Sequence, residues 1–327
     1  MQRAAELAVS EINARGGVRG RPLELRILDD SARPDVAIRI ARALVDDPTV
    51  VAVVGHLTSS TSLAAGRVYG EGRRPLVMIS PSASSPDLSG VNPYVFRVCP
   101  TDLSHGAQLA RFVRGRLGAQ RVGVIYVDDD YGRGLRLSFA AEFRNLGGTI
   151  VEEDPSLSAT PSLEPYLSRL RLGGGVDVLM LATERAGAEL ALREMARLGV
   201  HWPVVGGDAL TGIEAEGLRL SSAYLPDRPG ERNAQFVAAY ARAYEGQRPD
   251  HRGAGAYDAV HLLARVLADA GTGRDAIRDR LARIGRDLPA YEGVTGTIAF
   301  DGRGDVPAKP VVIGVVRGGR LVTEATQ

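Results

Sequence analysis

Short apolar, β-branched runs alternate along this chain with segments of helical spacing, and that alternation narrows the fold more than any other feature. Val50-Val51-Ala52-Val53-Val54-Gly55 is apolar almost throughout, whereas Pro34 to Asp47 repeats every three to four residues. A strand with no polar alternation is covered on both faces, which is the condition of a parallel sheet built from βαβ units. The same unit recurs. Strands are predicted at Leu76–Ser80, Tyr94–Val98, Arg121–Val127, Thr149–Glu152, Val176–Leu181 and Val204–Gly206, with helices at Leu103–Leu117, Gly132–Leu146, Leu163–Leu172 and Ala186–Leu198. A short strand at Ser222–Leu225, helices at Ala234–Glu245, Ala256–Ala270 and Asp275–Ile284, and two late strands paired with each other (Gly296–Phe300 and Val311–Val316) complete the pattern. Leu23–Leu28 alternates as a strand and closes on Asp29-Asp30. The first helix carries an apolar stripe (Ala4, Ala5, Leu7, Ala8, Ile12) fit to cover a sheet. Doubly wound lobes usually open with a strand, so a strand is expected upstream of Met1.

The length of 327 residues suits two α/β lobes with full cores. Basic and acidic residues balance at 40 against 39, which removes the electrostatic footprint of a nucleic-acid or anionic-membrane binder and favours small neutral or zwitterionic partners. Lys309 is the only lysine, and we read the arginine excess as coding bias. Cys99 is the only cysteine, so neither an intrachain disulfide nor a cysteine-based metal site is expected. Apolar runs fall far short of the roughly 20 residues needed to span a bilayer, so no direct membrane insertion is expected. Met1 leads straight into an amphipathic helix pattern, so the chain is either cytoplasmic or trimmed at its N-terminus.

Phosphate loops, dinucleotide fingerprints, nucleophile elbows and zinc-protease helices are absent from the sequence. His56, His105, His201, His251 and His261 show no metal spacing. Asp29-Asp30 and Asp128-Asp129-Asp130 follow strands, where open α/β sheets bind ligands, so a magnesium-dependent phosphotransfer site is one reading. Helix capping is the favoured one, because no lysine follows on a later strand to complete such a site. Two hydroxyl-rich loops carry more information. Gly55-His-Leu-Thr-Ser-Ser-Thr-Ser62 joins a buried strand to a helix, so Ser59 and Ser60 bring hydroxyls and unpaired N–H groups to a helix N-terminus, a place for a carboxylate or for plain capping. Ile79-Ser-Pro-Ser-Ala-Ser-Ser-Pro86 offers similar donors at the end of a neighbouring strand.

Those two loops, followed in order by Phe96-Arg-Val-Cys-Pro-Thr-Asp102, Asp130-Tyr-Gly-Arg-Gly-Leu135 and Gly206-Gly-Asp208, resemble the type I extracytoplasmic solute-binding proteins of the leucine/isoleucine/valine-binding kind. Glu11-Ile-Asn-Ala-Arg-Gly-Gly-Val-Arg-Gly-Arg-Pro22 fits the same pattern, so the resemblance spans nearly the whole chain. It implies an α/β fold of two doubly wound parallel-sheet lobes joined by a three-segment hinge, with the signal segment and first strand upstream of Met1. We place the lobes at 1–102 plus 231–301 and at 103–230 plus 302–327, with hinge crossings near Asp102, Pro226–Gly230 and Asp301–Gly304.

By that resemblance the protein is a periplasmic or extracytoplasmic component of an ABC transporter. It would capture a small amino acid, branched-chain or related, between closing lobes and deliver it to permease subunits, with no reaction and no cofactor. Ser59 would bind the α-carboxylate with Ser60 beside it, Ser84 would bind both ends of the amino acid, and the Ser82 carbonyl would accept from the ammonium. Asp208 would face the ammonium, while Tyr131 and Tyr257 would wall the cleft. Glu184 stands where such binders often carry a tyrosine that donates to the carboxylate. An ionised glutamate accepts only, so either it points away or the ligand brings an extra donor. Two rivals are a ligand sensor of the same fold and the phosphotransfer enzyme built on the strand-end aspartates.

Overall fold

The computed structural model describes residues 1–324. The chain divides into two compact units, one of Met1–Thr101 with Arg228–Lys309, the other of Asp102–Asp227 with the segment from Pro310 onward.

In the first unit, three short parallel strands, β1 (Ala52–Val54), β2 (Val77–Ser80) and β3 (Val95–Arg97), pair in the order β1-β2-β3. Successive side chains on β2 and β3 point to opposite faces and enter different cores. Val77, Ile79 and Phe96 pack with Leu262, Leu263 and Val266 of α9 (His251–Ala270) and Ile277 and Leu281 of α10 (Arg274–Arg283). Met78 and Val95 pack instead with α2 (Pro34–Asp46) and α3 (Ser59–Tyr69) through Ala37, Ala41, Ala65 and Tyr69. Helix α1 (Gln2–Ala14) lays Ala5, Ala8 and Ile12 against Val260 and Ala264 of α9, as its stripe predicts, and α8 (Glu231–Ala243) completes the unit's long helices.

Leu23–Leu28, predicted as a strand, has no ladder partner among the described residues, because β1 is an edge strand paired with β2 alone. The alternation registers in burial only over its first four residues, Ile27 and Leu28 both being exposed. Leu23 and Leu25 are half-buried beneath α1 while Glu24 and Arg26 face solvent, and the Asn13 side chain both donates to and accepts from the Leu23 backbone.

The second unit is a seven-stranded sheet. Its parallel part consists of β4 (Arg121–Val127), β5 (Thr149–Ser156), β6 (Val178–Ala182), β7 (Val204–Gly206) and β8 (Arg219–Ser222). Beyond β8 come β11 (Val312–Arg317) and β12 (Arg320–Thr323), each antiparallel to its neighbour, giving the order β12-β11-β8-β7-β6-β4-β5. The apolar run of β6 is buried on both faces. Val178, Met180 and Ala182 face α4 (Asp102–Gly115) and α5 (Asp130–Asn145), whereas Leu179 and Leu181 face α6 (Glu164–Leu172) and α7 (Arg185–Arg197).

Three sequence predictions need correction. The strand placed at Ser222–Leu225 lies at Arg219–Ser222, because the Ser222 hydroxyl donates to the Tyr224 carbonyl and turns the chain out of the sheet. The two late strands do not pair with each other. Strand β10 (Gly296–Ile298) forms a hairpin with β9 (Tyr291–Gly293) in the first unit, and β11 lies in the second. Residues 302–309, assigned above to the second lobe, pack in the first unit. There Arg97 Nε donates to Asp305 Oδ1 at 2.6 Å, and Lys309 donates to Thr295.

The β9–β10 turn rests on a buried charge. Asp258, at 1% exposure, accepts from the N–H groups of Val294 and Thr295, while Lys309, at 4% exposure, reaches it through the Thr295 hydroxyl. Burial pushes the Lys309 ammonium down from 10.5 to about 8 and pushes the Asp258 carboxyl up. The unfolded chain therefore holds a proton on Lys309 more tightly than the folded one between pH 8 and 10.5, so stability attributable to this group rises through that window. Denaturant titrations across those pH values should show wild type gaining stability relative to Lys309→Met, and parallel pH curves would contradict the assignment.

Arg97 is 1% exposed and pairs with a carboxylate 208 residues along the chain. Removing one partner of such a buried pair leaves the other charge without compensation, at a cost of about 3–5 kcal/mol. Asp305→Ala should lower the urea-unfolding free energy by that amount with an unchanged m-value; a loss below about 1 kcal/mol would mean that backbone carbonyls alone satisfy the guanidinium.

Candidate functional site

Within the first unit the two serine-rich loops meet. Thr58 caps α3 by accepting the Thr61 N–H, so the helix begins at Ser59 as its hydroxyl content predicts. The N–H groups of Ser59 and Ser60 lie in the first turn, where no intrahelical acceptor exists. The Ser59 hydroxyl accepts the Ser85 N–H at 3.1 Å, which ties the helix start to the loop after β2. Ser82 donates to the Leu57 carbonyl at 2.8 Å and adds a second tie. Ser84 is 2% exposed, and its hydroxyl has no hydrogen-bond partner among the described residues. At the end of β1, His56 Nδ1 lies 2.6 Å from Asp30 Oδ2 and Nε2 lies 3.1 Å from the Tyr69 hydroxyl. That hydrogen bond holds the Asp30 carboxyl below the usual range.

The loop after β2 owes its shape to Arg97 on β3. One guanidinium nitrogen donates to the carbonyls of Ala83 (3.1 Å) and Ser85 (2.8 Å), another to the Ser89 hydroxyl, and Nε to Asp305. The residues on either side of Ser84 are thereby pinned through their own carbonyls. Helix α9 presses on the same loop at Gly255, where a Cβ would stand 2.6 Å from the Pro81 carbonyl oxygen.

Tyr257 lies on α9 but faces elsewhere. Its hydroxyl donates to Glu11 Oε2 at 2.6 Å, and its ring packs against Phe236 and His261.

In the second unit, Tyr131, Glu184 and Asp208 follow β4, β6 and β7 respectively, at the carboxyl ends of parallel strands. Asp129 caps α5 by accepting the Gly132 N–H, which sets Tyr131 in the first turn. Gly132 is required there, because a Cβ would come within 2.0 Å of the Val127 carbonyl oxygen. Gly207 is needed for a matching reason, since a Cβ would stand 2.2 Å from the Tyr131 hydroxyl. The glycine of Asp130-Tyr-Gly thus lets α5 start against the end of β4, and the second glycine of Gly-Gly-Asp208 makes room for the Tyr131 hydroxyl. Burial pushes the Tyr131 phenol far up, and Asp208, Asp102 and Glu184 push it further, so it remains a neutral hydroxyl among carboxylates. His105 Nδ1 lies 3.0 Å from the Ser221 hydroxyl, with Nε2 3.8 Å from Asp208 Oδ2, and burial drives its pKa down. Glu184 is exposed and precedes α7.

Arg97, His105 and Asp102 were given no site role from the sequence. Each is a common residue type with partners distant in the chain or unreadable from spacing; Ser221 lies 116 residues from His105. The strand-end aspartates have local uses. Asp29 and Asp30 accept from the N–H groups two residues on, and Asp128 and Asp130 pair with Arg133. Among the described residues no group of three or more His, Cys, Asp or Glu is placed to hold a metal ion, and no helix is long and apolar enough to cross a membrane.

Residues 1–320 match the sequence model of the family described as periplasmic binding protein. The "Leu/Ile/Val-binding protein homolog 1" of Brucella abortus is 25% identical over 313 residues, 93% of this chain and 82% of the relative. Among solved structures, an ABC transporter substrate-binding protein from Desulfitobacterium hafniense in complex with Leu is 35% identical, with a TM-score of 0.85 over 99% of this chain and 95% of that one. The branched-chain amino acid transporter substrate-binding protein LivJ of Streptococcus pneumoniae, in complex with isoleucine, is 26% identical with a TM-score of 0.86, covering 98% of this chain and 91% of that one. With its parallel-rich α/β units and these matches along nearly its full length, the chain has the type I periplasmic binding protein fold and belongs to the periplasmic binding protein family.

Proposed function

We propose that the protein captures a free aliphatic amino acid, branched-chain or related, outside the cytoplasm and delivers it to the permease subunits of an ABC transporter. The observation that carries this reading is the joined pair of serine loops. The Ser59 hydroxyl joins the start of α3, with its first-turn amides, to the loop that carries the uncommitted Ser84 hydroxyl and that Arg97 holds through the carbonyls of Ala83 and Ser85. Such a group of donors suits a carboxylate, and the helix dipole adds to it. The relatives solved with leucine and with isoleucine support the choice of ligand class.

In this reading Ser59, Ser60 and Ser84 hold the α-carboxylate, the Ser82 carbonyl accepts from the ammonium, and Asp208 supplies the opposite charge with Tyr131 beside it. The carboxylates around Tyr131 give the second unit the sign that an ammonium requires. Glu184 is exposed at its helix start, and in this reading it makes no contact with a simple aliphatic ligand. Tyr257 takes no direct part, its hydroxyl being given to Glu11. No bond is made or broken.

Calorimetric titration with leucine tests the assignment. Ser59→Ala and Ser84→Ala each remove a hydrogen bond to a charged group, worth about 1.5–3 kcal/mol, so each should weaken binding about ten- to a hundredfold. Asp208→Asn keeps the shape and deletes the charge, and should cost about 2–5 kcal/mol of binding. Glu184→Gln should leave leucine affinity nearly unchanged. Full affinity in all three damaging variants would return these residues to structural roles.

A further inference from the structure

The first unit contains a cavity of about 440 Å³ bounded by α1, α8, α9 and β9, and none of its lining residues belongs to the serine loops. Its volume falls within the range of small-molecule pockets, about 300–1,000 Å³. Aromatic rings form one wall: Phe236 and Tyr257 lie 4.4 Å apart between centroids, and His261 lies 4.4 Å from Tyr257 on the other side. Arg15, Arg232 and Arg242 also line the space.

The charges there are unequally committed. Asp258 already accepts from Val294 and Thr295 with its two oxygens. Glu11 Oε2 takes the Tyr257 hydroxyl and lies 3.5 Å from His261 Nε2. Arg15 donates to the Glu11 carbonyl, and Arg232 donates to the Glu292 carbonyl. Arg242 makes no hydrogen bond or ion pair among the described residues. The acidic groups are thus occupied while the exposed Arg242 guanidinium, on the same cavity as these tilted rings, is not. A guanidinium matches a carboxylate in a two-pronged geometry, and ring faces accept a flat ring.

We propose that this cavity is a second ligand site, separate from the serine loops, that takes a planar aromatic carboxylate with its ring against the half-buried Tyr257 and its carboxylate on Arg242. The site would bind whether or not the amino acid is present. It stands independently of the transport reading, because all its residues lie in one unit and outside the loops on which that reading rests.

The probe is 4-hydroxybenzoate, titrated into the full chain by calorimetry and by NMR shift mapping, with and without saturating leucine. Saturable binding in both conditions is expected. Arg242→Glu should weaken it at least about tenfold, and Ala239→Trp, which fills the cavity without altering its charge, should abolish it, while both variants keep wild-type leucine affinity and melting temperature. Absence of binding at millimolar probe, displacement of the probe by leucine, or indifference to both substitutions would overturn the proposal. A chain that binds 4-hydroxybenzoate through Arg242 but never binds leucine would sink the transport reading and leave this one standing.

Discussion

A single buried guanidinium organises the part of the first unit from which the functional reading starts. Arg97 could not sit at 1% exposure unless its donors were met, since an unpaired charge in such a place costs several kcal/mol. It meets them with the carbonyls of Ala83 and Ser85, the Ser89 hydroxyl and the Asp305 carboxylate, so the demand of one side chain fixes a loop that has no regular secondary structure along most of its length. Ser59 then carries that order to the start of α3 by accepting the Ser85 N–H. A site held in this manner loses little freedom when a ligand arrives, which is where much of the affinity of a small-ligand site originates.

The second unit reaches a comparable result by close packing. Gly132 lets α5 start close against the Val127 carbonyl, Gly207 makes room for the Tyr131 hydroxyl, and the phenol feels the charges of Asp208, Asp102 and Glu184. The two units thus offer opposite chemistries, amide and hydroxyl donors in one and carboxylates in the other.

Much of this was legible in the sequence, and the reasons are physical. Strands such as β6, buried on both faces, announce themselves as continuous apolar runs, and helix α3 announces its start through a capping threonine and serines. Pairing is another matter. Leu23–Leu28 alternates correctly, with Leu23 and Leu25 half-buried but Ile27 exposed, and a ladder needs a neighbour, which is not encoded locally. The late strands were sorted into the wrong partnership for the same reason. In the candidate site, serines and glycines with local geometric duties could be read, whereas Arg97 looks like any of the other arginines until Asp305, 208 residues away, is seen beside it. Tyr257 follows a motif-like position on α9, yet its hydroxyl is directed by Glu11 on α1, which no spacing rule predicts.

The central claim is that the joined serine loops recognise the carboxylate of a free amino acid. Leucine and leucinamide differ only in that group, the amide retaining the side chain and the ammonium. Side-by-side calorimetric titrations of the full chain should give binding to leucine and at least about tenfold weaker binding to leucinamide, the loss of charge-assisted hydrogen bonds being worth that much. Equal affinity for the two compounds would contradict the account, because no role would then remain for the donors at Ser59, Ser60 and Ser84.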